Sequence, residues 1–317
     1  MRLRGLSLAA LLAVVIGASP SGASVPASDV WSKLAIAVRE HRNAVYNAVM
    51  DNEAAAALRT AALAPTTSAA CKDAYLAPGV RVFVSDLYLF GLGNHGDGFG
   101  ENCRFVERNI VRGAAVRGVS TFNDAWLQFG SMRPPTPEPF FDGHAAYSVP
   151  TIRLSGAAIV RRLDDTEVIE LHCRDQRYGV LLFAGNARLS LVRAAAVTLM
   201  TGYDAGDFYP GPRGPRARNL LLALPQFAVA TTVETRLAAT AGRKVTFSQT
   251  AVVRLGEFGV GKSWDWPPLP HFGFIGPSYH PPLALSFNHP FYFAIVYWSA
   301  HALLFIGYVA HPTLNAE

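Results

Sequence analysis

Charged side chains make up only 16% of the 317 residues, cysteine occurs three times, and no Asn-x-Ser/Thr acceptor for an N-linked glycan is present. The low charge stands beside 50% hydrophobic and 11% aromatic residues, which excludes a disordered chain. Three cysteines are too few for a small disulfide scaffold. Glycine (27) and proline (21) stay near ordinary usage, which excludes a collagen-like or proline-rich polymer. No fixed-period repeat points to a solenoid or a propeller. What is there is enough apolar material for one large buried core or two medium ones.

The first residues read as a secretory signal. Arg2 and Arg4 form a basic start, Gly5 to Gly17 is a short apolar stretch, and Ser21-Gly22-Ala23 offers a cleavage site. Residues 1–23 carry two arginines and no acid, so their removal lowers the formal net charge of +5 by two. A chain so nearly balanced carries no dedicated nucleic-acid surface. Arg213, Arg216 and Arg218 cluster in a Pro/Gly-rich stretch. They suit an anionic glycan, although a solvated loop explains them more simply. Two of Cys71, Cys103 and Cys173 can pair in an oxidising compartment, and their spacing fits no zinc pattern. Cys173 lies in an apolar, strand-like run and reads as a buried thiol. His144, His172, His271, His280, His289, His301 and His311 are scattered and lack a paired Ser/Asp context. No enzyme, metal or organic cofactor is therefore expected. His289 and His311 precede prolines at strand ends and read as structural.

Ser28 or Asp29 caps a helix over Trp31, Leu34, Ala35 and Val38. A second, Ala-rich helix is expected from Asn52 to Leu63, closed by Pro65. After Pro78 the pattern turns to strands, with Val80 to Val84 alternating and a Gly-rich loop from Gly91 to Gly100. Further strands are expected from Val116 onward, at Val149 to Val160, Glu167 to Cys173, Gly179 to Phe183, Leu220 to Leu224 and Val245 to Leu255. Val192 to Met200 and Thr232 to Ala241 read as helices. Early helices followed by many strands imply an α+β fold with a large, mainly antiparallel sheet system.

Two segments invite other readings. Gly256-Glu257-Phe258-Gly259-Val260-Gly261-Lys262-Ser263 matches a phosphate-binding loop, but a helix must follow Ser263. Trp264-Asp265-Trp266-Pro267-Pro268-Leu269-Pro270 cannot supply one. Only Asp265 and Glu317 carry acid beyond the motif, so the usual metal-binding carboxylate is missing as well. Phe291 to Ala310 holds twenty residues without Asp, Glu, Lys or Arg, a length that can span a bilayer as a single-pass anchor. No basic residue stops it, and His301 falls mid-span. Two buried strands joined by a turn near Trp298-Ser299-Ala300-His301 explain the run better.

That same segment carries a resemblance. Phe287-Asn288-His289-Pro290-Phe291-Tyr292-Phe293, then Leu304-Phe305-Ile306-Gly307-Tyr308-Val309 and Pro312, resembles the carboxy-terminal signature of the serpin family. Phe122, Trp126 and Phe129 resemble the family's F-x-x-x-W element at the top of its central sheet. Phe140-Phe141, Val149-Pro150 and Leu224-Pro225-Gln226-Phe227 follow in the family's order. Phe247 to Val252 then leads to Glu257-Phe258-Gly259, like the long strand that ends in E-x-G. The similarity covers about residues 116–312. Asn43 to Met50 stands where the family has N-V-F-F-S-P-x-S, with Asn47 and Met50 replacing both serines of the sheet-opening region. The stretch from Cys103 to Gly118 is too short for the helix that usually covers the central sheet. The chain resembles a shortened, divergent serpin, and its Ala/Arg/Gly/Pro bias suits a GC-rich genome such as a viral one.

Beyond the signal peptide read over residues 1–23, the resemblance implies one serpin-like domain over 24–317, with a reactive loop at about 257–286. Its hinge would be Glu257, Gly259, Val260 and Gly261. Inhibitory serpins insert this loop into the central sheet after a protease cleaves it. The inserted segment therefore needs small residues with free N–H groups. Here alternation sets Val260, Lys262, Trp264 and Trp266 on one face, and Pro267, Pro268 and Pro270 follow. Insertion is expected to stop after about six residues. The leading expectation is thus a secreted, extracellular protein that binds a protein partner through Trp264, Trp266, Phe272 and Phe274. The alternative is an active inhibitor of a chymotrypsin-like serine protease, with the scissile bond between Tyr279 and His280.

Overall fold

The computed structural model describes residues 29–48, 81–85, 105–112, 115–122, 125–126, 134–163, 166–173, 178–184, 187–202, 217–238, 244–256, 259–260, 282–297 and 302–315. The expected helix at Asn52 to Leu63, and Cys71 and Cys103, lie outside them.

Helix α1 (Asp29–Arg39) turns Trp31, Leu34 and Ala37 to one buried face, the spacing of an amphipathic stripe. It ends in a Schellman motif: the Arg42 N–H donates to the Ala37 carbonyl (3.1 Å) and the His41 N–H to that of Val38 (3.2 Å). The left-handed position of this cap holds His41, at φ 49°, where glycine is usual. Helix α2 (Leu189–Gly202) buries Val192, Ala195, Ala196 and Leu199.

The strands form two sheets. The larger has nine strands among the described residues. Its order is β1 (Ala44–Asn47), β16 (Ala302–Val309), β15 (Phe291–Tyr297), β9 (Tyr178–Ala184), β8 (Thr166–His172), β7 (Ala146–Leu163), β10 (Ala217–Pro225) and β14 (Leu283–Ser286), with β6 (Thr136–Phe141) beside β7. The second has seven. It runs β2 (Arg81–Ser85), β3 (Phe105–Arg112), β4 (Ala115–Phe122), β12 (Lys244–Gly256), β13 (Gly259–Val260) and β5 (Ala125–Trp126), with β11 (Phe227–Ala238) on the other side of β12. All pairings are antiparallel except β10 with β14 and β4 with β12. The α+β expectation holds.

The molecule stacks three layers. One core lies between the sheets and includes Phe227, Val229, Val253, Val260, Phe291, Phe293 and Ile295. The other lies between the large sheet and the two helices and includes Trp31, Leu34, Val192, Leu199, Tyr292, Val296 and Tyr308. Strand β15 belongs to both: Phe291, Phe293 and Ile295 face one core, and Tyr292, Ala294 and Val296 the other. That is why its sequence is a continuous apolar run rather than an alternation. The expected strand pair in the tail is therefore present, as β15 and β16, and not a single long helix. Among the described residues no helix is long and apolar enough to cross a membrane.

Gly307 lets these strands close. A Cβ there would collide with the Phe293 ring and stand 2.8 Å from the Ala44 carbonyl oxygen. Gly307→Ala is expected to cost about 1–3 kcal/mol, the usual penalty for overpacking a filled core. Urea denaturation reads this directly, and an unchanged midpoint would contradict it.

Three expectations need correction. Thr232 to Ala241 is not helical. Residues up to Ala238 lie in β11, which pairs with β12 over twelve successive positions from Phe227↔Leu255 to Ala238↔Lys244. The β-branched Thr231, Thr232, Val233 and Thr235 suit that pleated pairing, and it overrides the weak helical preference of Arg236, Leu237 and Ala238. Strand β3 was not anticipated, because its Glu107, Arg108, Asn109 and Arg112 mask the apolar pattern. Strand β14 occupies the last four residues of the stretch expected as loop.

Candidate functional site

The candidate site is the head of the parallel seam between β4 and β12. The two strands pair directly from Thr246↔Ala115 to Val252↔Thr121. Beyond that point the chain reverses after Gly256, and β13 lies between β12 and β5. Leu255 pairs with Val260 and Gly256 with Gly259 on one side. Gly259 pairs with Trp126, and Val260 with Ala125, on the other. Two of the expected hinge residues, Gly259 and Val260, are thus a short strand antiparallel to both neighbours. Val260 is fully buried in the inter-sheet core. A two-residue strand set between two neighbours lacks the loop that wraps a phosphate, which argues against the phosphate-loop reading of Gly259 and Val260.

Glu257, Gly261, Trp264, Trp266, Phe272, Phe274, Tyr279 and His280 lie outside the described residues. So do Arg213 and Arg216, while Arg218 is on β10. Trp126 is in β5, opposite Gly259, and Phe122 ends β4.

Gln226 is a residue that sequence reasoning did not single out. It stands where the chain leaves β10 for β11 and so passes from one sheet to the other. It is 2% exposed, its N–H donates to the Pro150 carbonyl (2.8 Å), and its Nε2 meets no acceptor among the described residues. A buried amide donor of this kind costs about 1–3 kcal/mol. No pattern in Leu224-Pro225-Gln226-Phe227 foretells the burial. It follows from the Phe227↔Leu255 pairing, which brings Gln226 to the end of β12, on the β11 side and away from the seam with β4.

The histidines are less scattered in space than in the chain. His41, His144 and His311 gather with Asp142 and Tyr147 at the corner where α1, the β6–β7 turn and the tail meet. The other side of the expectation concerned metals: among the described residues no group of three or more His, Cys, Asp or Glu is placed to hold one. Cys173 is buried beside Tyr178, whose carbonyl accepts its N–H (3.1 Å). Burial pushes the Tyr292 phenol up to about 12, with the neighbouring Tyr308 adding to the effect.

No protein-family model and no curated protein matches the chain. Solved structures do. A serpin from the trematode Schistosoma haematobium aligns with a TM-score of 0.46 at 17% identity, over 63% of this chain and 57% of that one. Serpins thus stand among the structures it is similar to. Mouse protein Z-dependent protease inhibitor gives 0.44 at 18% identity, over 63% and 55% of the two chains. The thermophilic serpin tengpin, in its native state, gives 0.47 at 13% identity, over 62% and 55%. The chain thus spans a little over half the length of each of these proteins.

Proposed function

We propose that this is a secreted serpin-fold protein that binds an extracellular protein through the stretch between β13 and β14, without efficient suicide inhibition. It is a binding protein, not an enzyme. The single observation behind the reading is the position of Val260. Its side chain points into the filled core between the sheets. Alternation along an extended β13 would send Lys262, Trp264 and Trp266 to that same face. An ammonium and two indoles have no room there, and each overpacked site costs about 1–3 kcal/mol. Pro267, Pro268 and Pro270 would each remove a ladder donor from a strand flanked on both sides. A stretch kept out of the sheet leaves Trp264, Trp266, Phe272 and Phe274 available to a partner, and buried aromatics dominate protein interfaces.

The position of β13 also favours a second reading. It already lies antiparallel to both strands at the mouth of a seam whose strands are parallel to each other. Opening that seam for a longer strand is the movement an active inhibitor of a chymotrypsin-like protease requires, with cleavage between Tyr279 and His280. An anionic glycan at Arg213, Arg216 and Arg218 remains compatible with either reading.

Incubation of the full chain with chymotrypsin-like and trypsin-like proteases separates the two. Clean cleavage within residues 264–280, with no covalent complex and no gain in melting temperature, is the expected result. A complex that survives denaturing electrophoresis would establish the second reading in place of the first.

A further inference from the structure

We propose that His311 is the catch of an acid-tightened latch, which fastens the carboxy-terminal tail to the end of α1 and to the β6–β7 turn. Three pieces of chain meet there. Asn43 fixes the backbone of the catch: its Oδ1 accepts the N–H groups of Ala310 and His311 (2.8 Å each), and its Nδ2 donates to the His311 carbonyl (2.6 Å). The imidazole is therefore delivered to one place.

Its two nitrogens then have distinct surroundings. Nε2 lies 2.9 Å from the His41 carbonyl oxygen, which can only accept, so Nε2 carries the proton. In the neutral ring Nδ1 is then an acceptor. It lies 3.3 Å from the Tyr147 hydroxyl, which donates to it, and 3.5 Å from Asp142 Oδ2, which offers it nothing. A proton taken up at Nδ1 turns that nitrogen into a donor facing a carboxylate, and a charge-assisted hydrogen bond replaces a repulsive contact between lone pairs.

The surroundings keep Asp142 ready. The N–H groups of Ala145 and His144 both donate to its Oδ1 (2.8 Å each), which leaves Oδ2 for the histidine. Those two bonds, first that from Ala145, hold the Asp142 carboxyl below its ordinary range. Gly143, at φ 101°, supplies the turn that presents them. His41 supplies the other half. It keeps a left-handed backbone where glycine is usual, and its carbonyl receives Nε2.

Other charged groups face the corner. The His41 and His144 rings meet edge-on at 5.6 Å, and a proton on either opposes one on His311. Burial pushes the Tyr147 phenol up to about 12, so it stays neutral. Arg42 is closed on Glu40, and Arg153 on Glu138, at 2.6 Å each. His289 packs against the Phe141 ring and is hydrogen-bonded to Asn288. Among the described residues Asp142 is thus the anion within ion-pair reach of His311, and acid tightens the contact. The tail it holds also secures β11, because the Ala228 N–H donates to the Thr313 carbonyl (2.6 Å).

Hydrogen exchange of the full chain at pH 5.5 and 7.5, corrected for intrinsic rates, tests this at the amides of Ala228, Ala310 and His311. Protection is expected to rise about tenfold at the lower pH, the scale of one hydrogen bond to a charged group. His311→Asn and Asp142→Asn are each expected to cut the rise below twofold, since asparagine at 142 keeps the turn acceptor and loses only the charge. His144→Asn is expected to preserve or enlarge it. A rise below threefold in the unaltered protein, a rise that survives both His311→Asn and Asp142→Asn, or its loss in His144→Asn would overturn the proposal.

Discussion

Phe293→Ala is expected to destabilise the protein by about 3–5 kcal/mol, the range for deleting a fully buried phenylalanine. The ring is 0% exposed, lies 4.9 Å between centroids from Phe227 and covers Gly307. It fills the space between the two sheets at the place where β15, β16 and β11 converge, so its removal leaves a cavity bounded by strands that cannot collapse without shifting register. Equilibrium denaturation measures the loss. A double-mutant cycle sharpens it: in the Phe293→Ala background Gly307→Ala should cost less, because the clash with the ring is gone and only that with the Ala44 carbonyl oxygen is left. Additive effects would mean that the ring and the glycine do not share that space.

Arg161→Met is expected to lower stability by about 3 kcal/mol, toward the low end for breaking a buried ion pair because the arginine is 21% exposed. Glu170 is 0% exposed, and Arg161 Nε donates to its Oε1 across the β7–β8 ladder, on the face that packs beneath α2. Removing the guanidinium leaves the carboxylate in the interior without that compensation, and the desolvation already incurred dominates. The double variant Arg161→Met with Glu170→Leu should recover most of the loss, since an apolar pair of similar volume needs no such compensation. Thermal melts of the single and double variants decide the point. A double variant as unstable as the single one would show that the pair serves packing rather than charge.

How far the sequence discloses this molecule depends on the range of the interactions involved. The tail was legible because aromatic and β-branched residues crowd Phe291 to Tyr297, and a strand buried on both faces needs only apolar neighbours to be recognised. Helix α1 was legible from Trp31, Leu34 and Val38, and β7 to β10 from their short apolar runs. The hinge was placed by resemblance to a known motif order; Gly259 and Val260 form β13 beside the end of β12, and a hinge role for them belongs to the proposal. Residues 232–238 were misread because Arg236, Leu237 and Ala238 favour a helix in isolation, while twelve rungs with β12 decide otherwise.

The sequence by itself settled composition, the apolar runs, the aromatic tail and the tryptophan-and-proline tract that follows Gly261, because each is a property of neighbours along the chain. Only the tertiary structure decided that β4 and β12 run parallel with β13 at their head, that Gln226 is buried at the crossing from β10 to β11, and that His311 meets His41 and Asp142. These depend on which distant strands pair, and pairing reflects the closure of the whole core: His41 and His311 are separated by 270 residues in the chain and by 2.9 Å in the fold.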